Sequence, residues 1–283
     1  MSAKQKISDD YLSREFPMSK DNFSLIQRIA YEFTGIKLSD HKKNMVYSRL
    51  ARRLRSLSLP RFDPYCDLLM LPNHPEHGEF INAITTNLTS FFRENHHFEF
   101  LKETALPDII KRHQSDKRIR IWSAGCSVGE EPYSIAMVVK EKVNTSWDVK
   151  LLATDLDTNV IAHGKAGIYE SDRIESVSAE RKKRWFSHSA SGDSVRVKPA
   201  LQELITFKQL NLLEPWPIKG PFDIIFCRNV VIYFDKETQK KLFDRYADLL
   251  ADNGYLFIGH SESLHRVTDR FKLLGKTMYQ KIK

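Results

Sequence analysis

Cysteine is scarce in this chain of 283 residues, and its three thiols, Cys66, Cys126 and Cys227, lie far apart. They form no C-x-x-C pair and no zinc-ribbon spacing. An odd number also excludes a fully paired disulfide framework, so a reducing cytoplasm is expected. His96 and His97 are adjacent and are expected to diverge on a helix, so no metal site is expected. No apolar run approaches the roughly 20 residues that cross a bilayer. The opening MSAKQKISDD has no apolar core, which argues against a secretory leader. Internal repeats and low-complexity tracts are absent, which sets aside solenoids and disordered arrays. The last absence is local. Residues 42–61 contain no Asp or Glu, yet hold Lys42, Lys43, Arg49, Arg52, Arg53, Arg55 and Arg61. In a chain of net charge +8, so concentrated a patch points to an anionic macromolecule as partner.

A hydrophobic content of 41% and a charged content of 28% are ordinary for a globular protein. The length suits one α/β domain plus a smaller one. Residues 1 to about 18 read as a polar tail. Positions 22–34 place Phe23, Ile26, Ile29, Ala30 and Phe33 at helical spacing, and Gly35 reads as the left-handed residue that ends the helix. A second helix is predicted over 41–57, with Val46, Leu50, Leu54 and Leu57 on one face and arginines on the other. Asp63-Pro64 reads as an N-cap and first position of a third helix ending at Pro72, and 79–87 as a fourth. Residues 1–90 therefore form a small helical domain. Pro107 is expected to open or kink a further helix.

From Arg118 the pattern changes. Strands are predicted near 118–123, 149–154, 205–210, 222–227 and 255–259, with a closing antiparallel pair within 271–281. Strands alternating with helices argue for a doubly wound, mostly parallel sheet over 91–283. Residues 167–204 are too long for a simple crossover. A helix at 179–186, a turn-rich stretch and a β-leaning Val195-Arg196-Val197 read as a folded insert.

The chemistry is expected where IRIWSAGCSVGEEPYS turns from strand through a glycine loop into a helix. Gly125 and Gly129 allow close approach of backbone to a nucleotide-like ligand, but their spacing departs from G-x-G-x-x-G and counts against hydride transfer. Glu130 and Glu131 open the helix and would repel a pyrophosphate. S-adenosylmethionine has an adenosine, a sulfonium and no phosphate, and suits such a site. Asp155, at the end of the next strand, is the candidate for its ribose diol. Asn211, Leu212 and Asn229 follow later strands at the same edge, where open α/β sheets bind ligands.

The runs TTNLTSFFRE, WSAGCSVGEEPYSIA, ATDLDTNVIAHGKAGIY, FCRNVVIYF and LFIGHSESL resemble the chemotaxis receptor methyltransferases, the CheR family. The resemblance spans nearly the whole chain. It implies a class I S-adenosylmethionine methyltransferase fold with a seven-stranded sheet, an N-terminal helical domain and a small antiparallel β-subdomain at 167–204. The implied activity is transfer of methyl from S-adenosylmethionine to glutamate carboxylates on the cytoplasmic helices of transmembrane chemoreceptors, leaving S-adenosylhomocysteine. It implies cofactor contacts from Asn87, Thr89, Arg93, Gly125, Glu131, Asp155, Asn211, Leu212, Asn229 and Val230. Arg93 and Tyr233 are implied beside the point of methyl transfer. The β-subdomain loop SHSASGDS lacks the Gly-x-Gly pattern of members that grip a receptor-tail peptide.

Glutamate is ionised near neutral pH, so this reaction needs no general base. Arg93 is expected either to orient the substrate carboxylate or to clamp the cofactor's own. Arg49, Arg52, Arg53 and Arg55 are expected to dock on the acidic stripe of a receptor helix, with their plain solvation as the alternative. The expected protein is a cytoplasmic monomer that binds no nucleic acid and does not enter the membrane. The rivals are a nucleic-acid methyltransferase, which the lack of a basic stripe interleaved with aromatics disfavours, and a non-catalytic S-adenosylmethionine sensor.

Overall fold

A computed structural model describes residues 14–283. The expectation of no secretory leader and most of the polar tail fall on residues 1–13, outside that range. The chain divides into two compact units, residues 1–86 and 87–283, so Asn87–Ser90 belong with the second.

In the first unit, helix α1 (Lys20–Thr34) starts at a reciprocal cap: the Ser19 hydroxyl accepts from the Asn22 amide, and the Asn22 side chain accepts from the Ser19 amide. It ends at Gly35, whose φ of 68° is left-handed, as the pattern predicted. Helix α2 (Lys43–Ser56) follows a 3-10 turn at Asp40–Lys42. Its face of Val46, Leu50 and Leu54 is fully buried, each side chain contributing about 1.5–3 kcal/mol by leaving water.

Helix α3 (Phe62–Met70) corrects one expectation. Asp63 does not cap it, because its carboxylate accepts from the Asn22 amide group at 3.0 Å and the helix begins two residues earlier, with Arg61 at the cap. Pro64 still falls in the first turn, where no intrahelical N–H is needed. Helix α4 (Glu76–Ile84) lies a turn earlier than predicted. Arg49 ends it by donating to the Ala83, Ile84 and Thr85 carbonyls at 3.3, 3.1 and 2.5 Å, so Asn87 is not helical.

The arginines of α2 are therefore not one open face. Arg53 donates twice to Glu76 (2.9 and 2.7 Å) and pairs with Glu79 at 3.1 Å. The Glu76 side chain is 4% exposed, so this pair is structural. Arg55 pairs with Glu15 on the surface. Arg52 is exposed, and among the described residues no acid pairs with it.

The second unit opens with α5 (His96–Phe100), a π-helical turn at Leu101–Ala105, and α6 (Leu106–Arg112). The wide turn immediately precedes Pro107, which has no N–H to give to the usual ladder. Then come β1 (Arg118–Ala124), α7 (Glu130–Lys142), β2 (Asp148–Asp155) and α8 (Thr158–Ala166). The insert holds β3 (Ile168–Glu170), α9 (Ala179–Trp185), β4 (Phe186–His188) and β5 (Ser194–Val197). The chain continues through α10 (Pro199–Gln202), β6 (Ile205–Gln209), β7 (Phe222–Cys227), α11 (Lys236–Leu249), β8 (Leu250–Ile258), β9 (Phe271–Gly275) and β10 (Met278–Lys281).

The main sheet has the order β6-β2-β1-β7-β8-β10-β9. Its neighbours pair in parallel except where β10 enters antiparallel between β8 and β9. Alternate residues enter opposite cores. Ile121, Phe226 and Phe257 face one layer, while Trp122, Ile225 and Leu256 face the other with Leu242, Phe243 and Tyr246 of α11. The insert forms its own antiparallel sheet, β3-β5-β4, with Trp185 and Phe186 buried.

Candidate active site

Sheet order reverses between β1 and β7. From β1 the chain winds outward to β2 and β6, then returns to lay β7 on the other side. A crevice forms at the carboxyl ends of the strands at such a reversal. Gly125 leaves β1 with φ 93°, and its amide and that of Cys126 both donate to the Thr154 carbonyl. A Cβ on Gly125 would stand 2.3 Å from Cγ2 of Val230, so the missing side chain lets the loops after β1 and β7 touch. Gly129, with φ 97°, starts α7.

Asp155 ends β2. Its carboxylate accepts from the Ser127 amide at 2.8 Å and the Asp157 amide at 3.1 Å. The residue is part-exposed, but its carboxyl group lies deep, and burial pushes it up to about 6; the amides of Asp157 and Ser127 offset only part of that. A carboxylate has about four acceptor positions, so these amides leave room for a hydroxyl donor. The Leu210 amide donates to the Asp155 carbonyl at 2.9 Å, which brings Asn211 and Leu212 to the same edge. Asn211 accepts from the Leu213 amide, and Leu212 is buried with its carbonyl held by Trp216 and Arg245.

Residues 87–93 cross the glycine loop. The Asn87 carbonyl accepts from the Ser127 hydroxyl (2.9 Å), and the Asn87 amide group donates to Asp157 (2.8 Å). The Thr89 carbonyl accepts from Arg173 at 3.0 Å. Part-exposed Arg93 donates to the Leu88 carbonyl at 2.8 Å, and among the described residues no carboxylate pairs with it.

Glu130 and Glu131 do not present a bare double negative charge, contrary to expectation. Glu130 accepts two hydrogen bonds from Arg173, both 2.9 Å. Glu131 accepts from Arg228 at 3.0 Å and from the Ser123 hydroxyl at 2.7 Å. Burial raises both carboxyls above their ordinary range, opposed by these arginines. Charge repulsion is thus a weaker reason against a phosphate than the sequence suggests. Glu131, expected as a cofactor contact, has both oxygens engaged by the chain itself.

Three supporting residues escaped sequence reasoning. Arg228 is buried and joins Glu131, Glu94 and the Arg93 carbonyl. Glu94 pairs with His260 at 2.8 Å; burial works against its ionisation, but His260 and Arg228 outweigh it and hold the carboxyl at about 2. Glu262 is buried and accepts from the amides of Asn229 (3.0 Å), Val231 (2.9 Å) and Ile232 (3.3 Å). It fixes Asn229 at φ 59° and the short turn Val231–Tyr233 that carries Tyr233. The signal available was the acid of GHSESL just past a strand end. His96 and His97 also correct an expectation: they do not diverge, and their ring centroids lie 4.2 Å apart. Adjacent helical positions differ by only about 100°, so both rings can fold to one side.

The crevice fits S-adenosylmethionine on the chain's own terms: a cradle a side chain would fill at Gly125, and a desolvated carboxylate at Asp155. Comparison with known proteins agrees. Residues 87–280 match the family model described as CheR methyltransferase, SAM binding domain, and residues 21–85 match CheR methyltransferase, all-alpha domain. A probable chemotaxis protein methyltransferase of Rhizobium etli is 44% identical, covering 88% of this chain and 96% of that protein. A chemotaxis protein methyltransferase of Escherichia coli is 42% identical, covering 95% of this chain and 93% of its own. Chemotaxis protein methyltransferase 2 of Pseudomonas aeruginosa is 43% identical over 94% of this chain and 95% of that relative. The seven-stranded sheet, helical first unit and three-stranded insert are the architecture that was expected. The chain belongs to the CheR methyltransferase family and is an S-adenosylmethionine-dependent methyltransferase.

Proposed function

We propose that this enzyme methylates glutamate side chains on the cytoplasmic helices of transmembrane chemoreceptors, as a cytoplasmic protein. Asp155 would hold the ribose hydroxyls, Asn211 and Leu212 the adenine edge, and Asn87, Thr89, Glu131, Asn229 and Val230 the remaining walls. Bound S-adenosylmethionine supplies an electrophilic methyl group. A substrate glutamate, with an ordinary value near 4.3, is already ionised and needs no base from the chain. The chain's work is alignment and exclusion of water.

The observation that carries the carboxylate reading is the state of the arginines. Arg173 and Arg228 are engaged by Glu130 and Glu131, while among the described residues Arg93 meets only a backbone carbonyl and keeps donors for a bound carboxylate. That carboxylate is either the substrate's or the cofactor's own. Arg93→Met raises KM for receptor with little change in cofactor affinity in the first case, and weakens cofactor binding in calorimetry in the second. Tyr233 is assigned to the same end of the crevice.

The test of the function is label transfer. Tritiated methyl from S-adenosylmethionine should enter chemoreceptor-containing membranes and leave as volatile methanol in mild alkali. Label that survives alkali, label in RNA, or ligand binding without turnover would each overturn the glutamate reading.

A further inference from the structure

The turn after Arg93 gathers three groups that the methyl-transfer chemistry does not use. Glu94 Oε2, His96 Nε2 and His97 Nδ1 all lie within 4.8 Å of one another. Each of these atoms is buried; among the described residues the two histidine nitrogens have no hydrogen-bond partner, and Glu94 Oε2 has only its ion pair with Arg228 at 3.3 Å. The His97 side chain is 0% exposed, so its free nitrogen is aimed inward and not at solvent. A buried polar atom left unmade costs about 1–3 kcal/mol, and two such nitrogens beside a carboxylate oxygen call for something that binds them together.

The second contacts of these residues fix how they point. His97 Nε2 lies 3.1 Å from the Thr277 hydroxyl; as donor there, it leaves Nδ1 with a lone pair. Glu94 Oε1 is taken by His260 at 2.8 Å, which leaves Oε2 facing the histidines. His97 Nδ1 and Glu94 Oε2 are 3.6 Å apart. Two ligands about 2.0–2.1 Å from a tetrahedral ion stand about 3.4 Å apart, so this pair needs almost no movement. Two imidazoles and one carboxylate suit zinc and its neighbours and leave a fourth position open, whereas magnesium and calcium prefer all-oxygen sets.

Two positive charges oppose a cation. Arg228 Nη2 stands 3.3 Å from Glu94 Oε2. That nitrogen donates to the Arg93 carbonyl, and Glu131 balances the guanidinium from the other side. The two glutamates together outnumber it. Lys276 is a second positive charge, and it acts on His96 more strongly than Glu94 or Arg228 does.

We propose that Glu94, His96 and His97 form a binding site for a zinc-class divalent cation, seated behind the turn that presents Arg93. The site does not depend on the identity of the methyl acceptor. Calorimetry of the full chain with zinc chloride should show one tight equivalent, and magnesium chloride should show none. His96→Ala and Glu94→Gln should each weaken zinc at least tenfold, with the fold checked by circular dichroism. His97→Ala is the stronger test but removes a fully buried ring, so the part-exposed His96 keeps the question answerable if it fails to fold. Cobalt should give a tetrahedral visible spectrum in the wild type that is lost in His96→Ala. Zinc should raise the thermal midpoint of the wild type and not that of His96→Ala. Equal zinc binding by wild type and both variants, or no zinc binding by the folded wild type, overturns the proposal and leaves a bound water as the occupant of the cluster.

Discussion

The arginine face of α2 and the acidic start of α7 pose the same question with opposite signs. Each looks in sequence like a strip of unopposed charge. In the structure each is largely engaged within its own unit: Arg53 by Glu76, Arg55 by Glu15 and Arg49 by helix-end carbonyls, against Glu130 by Arg173 and Glu131 by Arg228. The remainder is what distinguishes them. On α2, among the described residues, it is a single exposed guanidinium, Arg52. In the crevice it is a desolvated carboxylate and a part-exposed guanidinium, Asp155 and Arg93. Charge counts locate functional regions, but partner by partner accounting finds the residues with something left to bind.

The largest effect is expected from charge reversal on α2. Arg53→Glu should cost about 3–5 kcal/mol in urea unfolding, because it leaves the buried Glu76 carboxylate facing a like charge. A loss under 1 kcal/mol would return Arg53 to the docking face. Next in size is the crevice. Asp155→Ala should weaken S-adenosylhomocysteine binding by about 1.5–3 kcal/mol in calorimetry, the cost of a lost charged acceptor. Unchanged affinity would remove the ribose assignment.

The pH dependence of that binding is smaller and follows from sign. Burial holds the Asp155 carboxyl up to about 6, and hydroxyl donors favour its ionised form. Protonation therefore competes with the ligand. Affinity should be flat above pH 7 and fall by up to about tenfold per unit below 6, since one unit corresponds to about 1.4 kcal/mol. A flat profile between pH 5 and 8 would contradict it. The smallest structural effect belongs to Arg52→Glu, expected to change stability by less than about 0.5 kcal/mol. It should slow receptor methylation, more at low salt than at high, without altering cofactor affinity. Unaltered methylation at low salt would mean that α2 docks on nothing.

Much of the architecture was legible. Apolar runs marked the strands of the main sheet, most plainly β7, which is covered on both faces and so has few polar positions. Gly35 and Gly125 could be read because their left-handed backbone excludes most other residues. Helix edges were less legible where distant residues decide them: Asp63 is drawn to Asn22, and Arg49 closes α4 from 34–36 positions away. The place of Asp155 at the end of β2 was legible from the apolar run before it. Arg228 and Glu262 were not, since their partners lie 97 and about 30 residues off. Nor was the meeting of His96 with His97, which depends on side-chain rotation.

The small sheet has a consequence for how this protein can be rebuilt. Tyr169 in β3 donates to the Val128 carbonyl at 2.7 Å, and its hydroxyl fills the space a Cβ on Gly129 would need. Arg173, one turn on, reaches Glu130 and Thr89. The insert thus works as a keystone over the glycine loop and is no detachable accessory. Excising residues 167–204 would strip that loop of its roof, so a shortened enzyme would need a replacement tyrosine and arginine before it could hold any nucleoside.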